Sequence, residues 1–382
     1  MPDRLPAELA DLRHRLHHFL DDELLPMEHT LHLGPDDPVP PEVADWTRQR
    51  SREAGFFGMT QPEDLGGSGA GPLALTVVRE ALAESDLRLA AFVLGPSPGV
   101  LAAAEGELRR THLRPVLDGE RRSAFAFTEP QDAHHPTSAR RDGDDLVVHG
   151  SKAFVTGGAD ADFYLTLVRV AEDGDLPAGT AMIVIDRDAP GVHIEEEFHS
   201  LDGSHHVSLH FHDTRVPKSH VVGAIGEGMP RALGNIGEVR LALAAQACGI
   251  CMFVLESLVD HLRASHRSGT PLGDRESIRL RYGEMRTRAY AARSMLYRTA
   301  RLAAAGENTV NEVMATKVFC VESVGCIVDQ AIQMVGGRGL IHGHPLERLY
   351  RRVRALRLAE GASDLLRLQI ARGRLELDKG RI

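Results

Sequence analysis

Residues 146–170 read LVVHGSKAFVTGGADADFYLTLVRV. Three short β-rich runs, 146–148, 153–156 and 164–170, are interrupted by Gly150 and by Gly157-Gly158. Short runs punctuated by glycine mark strands and turns rather than one long helix. The same texture extends outward to the runs 124–127 and 181–185, with turns at Asp142-Gly143-Asp144 and Ala189-Pro190-Gly191. Together these stretches predict a compact antiparallel sheet that begins near Ser123 and ends near Gly226-Glu227-Gly228.

On both sides of the sheet the apolar period changes to that of helices. Leu9, Leu12, Leu16, Phe19 and Leu20 form one helical stripe, and Leu75, Val78 and Leu82 another. Gly66-Gly67-Ser68-Gly69 holds too much glycine for regular structure, matches no phosphate-binding fingerprint and is read as a turn before a helix. Beyond the sheet, helical patterns cover roughly 238–265, 275–305, 310–335 and a final stretch after Leu346. Long helices with short connections imply an antiparallel bundle. The expectation is a mainly α chain with a central β domain. Residues 1–122 form an N-terminal helical domain, 123–226 a middle β-barrel or sheet domain, and 227–382 a C-terminal four-helix bundle.

With 382 residues and 43% apolar content the chain can bury a large core. Its formal charge of −10 argues against nucleic acid or another polyanion as a partner. No uninterrupted apolar run of about 18 residues occurs, and 1–10 has no basic segment followed by an apolar one, so neither a membrane nor a targeting signal is expected. A cytoplasmic location follows as an expectation. Cys248, Cys251, Cys320 and Cys326 lie in apolar helical runs and read as buried thiols. His199, His205, His206, His210 and His212 invite a metal reading. Val207, Leu209 and Phe211 alternate with Ser208, His210 and His212, however, which is a half-buried strand with a solvated histidine face. No metal site is assigned.

Six local strings carry a resemblance: Gly58-Met59-Thr60-Gln61-Pro62-Glu63 with Gly66-Gly67; Phe127-Thr128-Glu129-Pro130; Gly150-Ser151-Lys152-Ala153-Phe154-Val155-Thr156; Arg215-Val216-Pro217; Gly336-Gly337-Arg338-Gly339; and Glu360-Gly361-Ala362-Ser363. Each alone is weak. In this order, across 55–372, they resemble the acyl-CoA dehydrogenases. The resemblance implies an acyl thioester, carried on CoA or on an acyl carrier protein, that loses its α-proton to a glutamate and its β-hydride to N5 of FAD. It also implies hydrogen bonds to the thioester oxygen from a flavin ribityl hydroxyl and from the glutamate's own N–H.

By resemblance, Glu360 is the base and Gly361 lets the substrate approach closely. Phe125, Phe127, Thr128, Phe154 and Thr156 line the flavin ring, with Phe154 where the family has tryptophan. Gln333, Gly336 and Gly337 touch the adenine half of FAD across a dimer interface. Arg240 stands near the substrate end of its helix. Some members place the base beside Arg240, but Val239 occupies that position here, leaving Glu238 as a distant second candidate. A homodimer or tetramer, an electron-acceptor flavoprotein and a place in specialised metabolism are further expectations.

Departures from the family gather around the FAD pyrophosphate. Ala133-His134-His135 replaces a turn of small residues, Ser265 a phosphate-binding arginine, Ser268 a phenylalanine, Glu276 a glutamine, and Ala362 and Asp364 a threonine and a glutamine. Losing an arginine and adding carboxylates weakens dianion binding, unless Arg263, His266 or Arg267 compensates. Two alternatives follow. One is a flavin-less member whose Glu360 performs isomerisation, dehydration or cyclisation, with His134 or His135 as the replacement donor. The other is a carrier-protein or DNA-binding protein using Arg348, Arg351, Arg352, Arg354 and Arg357, a run that more often forms a solvated, ion-paired face. Acyl chain length and the choice between CoA and carrier protein are not encoded in any motif.

Overall fold

A computed structural model describes residues 4–174, 176–266, 269–380 and 382. In chain order the helices are α1 (Ala7–Phe19), α2 (Leu25–Leu31), α3 (Pro41–Ala54), α4 (Pro72–Glu84), α5 (Gly106–Leu108) and α6 (Arg114–Asp118). The strands follow: β1 (Ser123–Ala126), β2 (Ser138–Asp142), β3 (Asp145–Thr156), β4 (Phe163–Val170), β5 (Gly179–Asp186), β6 (Val192–His199) and β7 (His205–Pro217). The chain closes with α7 (Gly228–Arg263), α8 (Glu276–Ala304), α9 (Val310–Val335), α10 (Pro345–Leu356) and α11 (Ser363–Leu375).

Residue contacts divide the chain into two units, 1–60 with 67–95 and 237–382, and 61–66 with 96–236. The first unit therefore gathers the N-terminal and C-terminal helices, which composition alone separates into different segments. Its larger core is built by α7, α8, α9 and α10, with Cys248, Leu296, Val324 and Leu349 fully buried. A second core joins α1, α3 and α4 through Leu16, Phe19, Trp46 and Val78. α7 and α4 meet at Gly249, where an added Cβ would lie 2.2 Å from the Glu80 carbonyl oxygen. Glu80 itself is fully buried and receives two hydrogen bonds from Arg293, at 2.6 and 3.1 Å, and one from the Tyr297 hydroxyl at 2.5 Å. α7 and the segment Val310–Leu340 are long and apolar enough to cross a membrane by length and composition. Ala244, Ile250, Val254, Val321 and Ile327, which make them so, lie in the bundle core.

The second unit is a seven-stranded sheet in the order β1-β4-β2-β3-β7-β6, with β5 on the other edge of β4. It is mixed rather than antiparallel, which corrects the sequence expectation. β1 runs parallel to the first half of β4 and β2 parallel to its end, because the β2–β3 hairpin intervenes before the chain returns as β4. β4 reads as a continuous apolar run because both faces are covered. Tyr164, Val168 and Val170 enter one core, while Phe163, Leu165 and Leu167 enter another. The runs 146–148 and 153–156 belong to one strand, β3, whose pairing with β7 shifts at Gly150 and again between Lys152 and Val155. β2 and β6 escape a hydrophobicity reading because SARRD and VHIEEEFH are polar edge or short central strands. α7 begins ten residues before its apolar pattern does, and the stretch after Leu346 is two helices, α10 and α11. The Gly66–Gly69 run is a turn, with φ of 89° at Gly66 and 56° at Gly69, ahead of α4. On β7, Val207, Leu209 and Phe211 are fully buried and His212 is exposed, as the alternation requires. Cys248, Cys251 and Cys320 are buried free thiols, whereas Cys326 is only half-buried, since α9 turns it toward the rim of the core.

Candidate active site

Glu360 occupies the turn between α10 and α11 with φ 53°, a left-handed conformation that costs a side chain of its size free energy and marks functional positions. Gly361 follows at φ 102°. Two cations, the half-buried Arg240 and the fully buried Lys317, hold this turn from behind. Arg240 Nε donates to the Glu360 carbonyl oxygen at 2.8 Å, and Lys317 Nζ donates to the Gly361 carbonyl oxygen at 3.0 Å and to that of Arg357 at 3.4 Å. A Cβ at Gly361 would sit 3.3 Å from Arg240 Nη2 and 3.1 Å from Leu366 Cδ2, so glycine there lets the clamp close. The Glu360 carboxyl is half-buried, and burial pushes it above the usual carboxylate range against the opposing pull of Arg240 and Lys317. Burial also pushes the Lys317 ammonium down to about 8, with Arg240 adding to the effect and Glu360 opposing it.

Lys317 is a site residue that motif reading missed. Its signal was available: one lysine in an otherwise apolar stretch of α9, and it is fully buried. Glu238 is exposed on α7, where its charge acts on Arg79, and it takes no part in the turn.

The flavin-side residues named from sequence come together on the sheet unit. Phe125 on β1 and Phe127 just after it stack with ring centroids 5.8 Å apart. Thr128 is exposed, and its carbonyl oxygen accepts from the Ala153 amide at 2.8 Å, tying the loop after β1 to β3. The buried Lys152 reinforces that tie by donating to the Phe127 carbonyl oxygen at 3.2 Å and to Glu129 Oε1 at 3.0 Å. Burial draws the Glu129 carboxyl upward, but the Thr137 amide and Lys152 together hold it below its ordinary range. The irregularity between Lys152 and Val155 turns Phe154 outward with φ 55° and leaves it 65% exposed. Phe154 meets Phe198 edge-on at 5.4 Å, and Thr156 Oγ1 is 3.1 Å from His206 Nδ1. The exposed Phe154 ring beside the Thr156 hydroxyl offers an aromatic face on which a flat ring system can pack.

On the helical unit, Gln333, Gly336 and Gly337 are exposed where α9 ends, and added Cβ atoms at the two glycines would meet only open space. A cavity of about 300 Å³ lies alongside, lined by Phe253, His261, Val335, Arg338 and His344 among others. Within each unit the residues present suit the part of FAD that the resemblance gives them. Ser265 and Glu276 are exposed on the helical unit, and Asp364 is held by Arg367 Nη1 at 2.7 Å, which offsets the charge it adds. Ala362 is the residue preceding α11. Arg267 and Ser268 lie outside the described residues. His134 and His135 are exposed, as is Ala133.

Three arginines of the basic run pair internally. Arg348 pairs with Asp86 at 2.5 Å, Arg351 with Glu347 at 2.7 Å and Arg357 with Glu322 at 2.6 Å. Those guanidinium groups are already matched, which disfavours the carrier-protein or DNA-binding alternative.

Comparison with known proteins gives a consistent picture. The family models for the N-terminal, middle and C-terminal domains of acyl-CoA dehydrogenases match residues 6–120, 124–214 and 226–375. The mitochondrial isobutyryl-CoA dehydrogenase of Dictyostelium discoideum is 29% identical over 335 residues, covering 85% of this chain and 80% of its own. The mitochondrial short-chain specific acyl-CoA dehydrogenase of Rattus norvegicus is 28% identical over 384 residues, covering 96% and 90%. The fold is shared with a Mycobacterium smegmatis glutaryl-CoA dehydrogenase solved in complex with FADH2, at a TM-score of 0.80 and 20% identity, covering 96% of this chain and 94% of that one.

Proposed function

This chain belongs to the acyl-CoA dehydrogenase family, whose members are FAD-binding oxidoreductases acting on CH–CH groups, and from that premise we propose that it desaturates an acyl thioester with Glu360 as the α-proton base. The observation that carries this reading is the Glu360 turn, where a strained backbone, two cationic clamps on consecutive carbonyls and a carboxyl raised by burial converge on one residue. A base whose affinity for protons is raised toward the working pH takes a weakly acidic α-proton more readily than an ordinary surface carboxylate does.

Glu360 accepts the α-proton on its carboxylate while the α,β double bond forms. Bound FAD would supply the acceptor for the hydride that leaves Cβ. Arg240 and Lys317 fix the backbone from which the carboxylate projects. Phe154, Thr156 and the Phe127-Thr128 loop would hold the flavin ring, and Gln333, Gly336 and Gly337 the adenine half. An acyl-CoA is the substrate that the family favours; an acyl carrier protein is the second possibility, and an electron-transfer flavoprotein the acceptor. Exposed Leu340, Ile341, Leu365, Leu368 and Leu375 support a homo-oligomer through the C-terminal helices.

The deciding experiment pairs a visible spectrum of the purified chain with turnover of saturated acyl-CoA esters of graded length by wild type and Glu360→Gln. Bound flavin in both proteins and a loss of about 10²–10⁴-fold in turnover in the variant are expected. Full activity in the variant removes Glu360 from the role. Absence of flavin, with no gain on adding FAD, removes the redox step and leaves proton transfer at Glu360 in a non-redox reaction.

A further inference from the structure

His112, Asp186 and His220 are far apart in the chain and none belongs to the dehydrogenase site. His112 lies in the turn of Arg109–Leu113 before α6, Asp186 at the end of β5, and His220 in the turn of Lys218–His220 after β7. All three are in the sheet unit. One ligand atom from each lies within 4.8 Å of the others, and among the described residues this is the one such histidine-carboxylate group. The rings of His112 and His220 meet at 73° with centroids 5.2 Å apart, and His112 is 4% exposed.

Hydrogen-bond accounting shows which nitrogens face inward. Thr111 Oγ1 lies 2.9 Å from the Glu107 carbonyl oxygen and 2.8 Å from His112 Nδ1. His220 Nδ1 lies 3.1 Å from the Val184 carbonyl oxygen, which can only accept, so neutral His220 carries its proton on Nδ1 and leaves its Nε2 lone pair free. His112 Nε2 lies 3.2 Å from Asp186 Oδ1, and when the Thr111 proton goes to Glu107 the His112 ring proton sits on Nδ1 and its Nε2 is likewise a free lone pair. In that tautomer a cation between the three groups answers all of them at once.

We propose that His112 Nε2, His220 Nε2 and an Asp186 carboxylate oxygen bind a divalent transition-metal ion of the zinc class. Two imidazoles and one carboxylate make a three-ligand zinc set with water at the fourth position. The outer bonds from Nδ1 to Thr111 and Val184 are the arrangement that fixes the tautomer of ligating histidines. Zinc bonds of about 2.0–2.2 Å bring ligand atoms to roughly 3.3–3.5 Å in a tetrahedron, a modest closure from their present spacing. Arg121 Nη2 donates to the same Asp186 oxygen at 2.7 Å and remains as an outer charge partner of the ligating carboxylate. The bound ion would join the ends of β5, β7 and the Arg109–Leu113 turn, and its role is to stabilise the sheet unit.

The test uses the full chain without a histidine tag. Zn²⁺ and Co²⁺ are titrated after chelator treatment, with metal content read by mass spectrometry and Co²⁺ coordination by visible absorption. One equivalent is expected, with absorption typical of four-coordinate cobalt and a zinc-dependent rise in Tm. His112→Ala and His220→Gln, tested separately, are each expected to weaken binding at least about tenfold. His220 is half-buried, so its variant remains informative if His112→Ala is unfolded by circular dichroism. The histidines of the strand face supply the control, since His149 and His210 have ring centroids 5.7 Å apart. Zinc binding that is lost in His149→Ala/His210→Ala and kept in His220→Gln overturns the proposal, as does the lack of any saturable binding.

Discussion

Lys317 Nζ and the Gly361 carbonyl oxygen, 44 residues apart in sequence, are joined by a 3.0 Å hydrogen bond that pins the turn carrying the proposed base. The cation lies on α9 and the base follows α10, so the bond fixes one helix against the exit of another. It also places a positive charge behind a carboxylate that burial would otherwise push further upward.

A positive charge near a carboxylate favours its ionised form, so its removal moves the carboxylate to higher pH. Lys317→Met and Arg240→Met are each expected to shift the acidic limb of the pH–activity profile upward, with the larger loss of activity at low pH. An unmoved limb in both variants would separate the clamp from the ionisation of Glu360.

The same lysine carries a stability signature. In the folded chain its ammonium is pushed down to about 8 from an ordinary value of 10.5, so the unfolded chain holds more protons between those values. Unfolding free energy therefore rises with pH across that window, and below it the buried ammonium is a cost. Denaturant melts at pH 7.5 and 10 are expected to show this rise in wild type and a smaller one in Lys317→Met.

Phe154 stores backbone strain in exchange for its exposed position. Phe154→Gly relieves roughly 1 kcal/mol of left-handed strain yet removes the aromatic wall. Weaker flavin retention on dilution, without a fall in Tm of the flavin-free protein, is the expected result. Unchanged flavin affinity would mean that this ring does not bound the cofactor.

Lys152 is buried beside Glu129, and both hold the loop after β1. Lys152→Met removes the charge and keeps the stem, leaving Glu129 with its Thr137 amide bond alone. Breaking such a pair costs about 3–5 kcal/mol when it is fully buried, and the partial exposure of Glu129 places this one below that range. Reduced Tm together with faster flavin release is expected; reduced Tm with unaltered flavin release would confine Lys152 to a structural part.

Glu80, Arg293 and Tyr297 offer a fully buried contrast in the helical core. Arg293→Met leaves the Glu80 carboxylate with a single hydroxyl donor and no cation, at a cost of about 3–5 kcal/mol. Thermal unfolding of that variant is expected at a markedly lower temperature, while the double variant Glu80→Gln/Arg293→Met recovers part of the loss because no unpaired charge remains.

The sequence by itself determined the helix, sheet, helix order and singled out Glu360 as the candidate base. Glycine punctuation, apolar period and the Glu360-Gly361 string are local properties that survive in one dimension. β4 was legible because covering both faces demands unbroken apolar residues, while β6, an edge strand with three consecutive glutamates, left no such mark. Only the tertiary structure decided that the sheet is mixed, that the first and last helices share one unit, and that Lys317, Lys152 and His206 stand beside residues a motif had named. It alone also brought His112, Asp186 and His220 together. The physical reason is the same in each case: a charge's partner, a strand's neighbour and a cation's ligands are set by distances through space between segments tens of residues apart, and no local pattern of side chains records those distances.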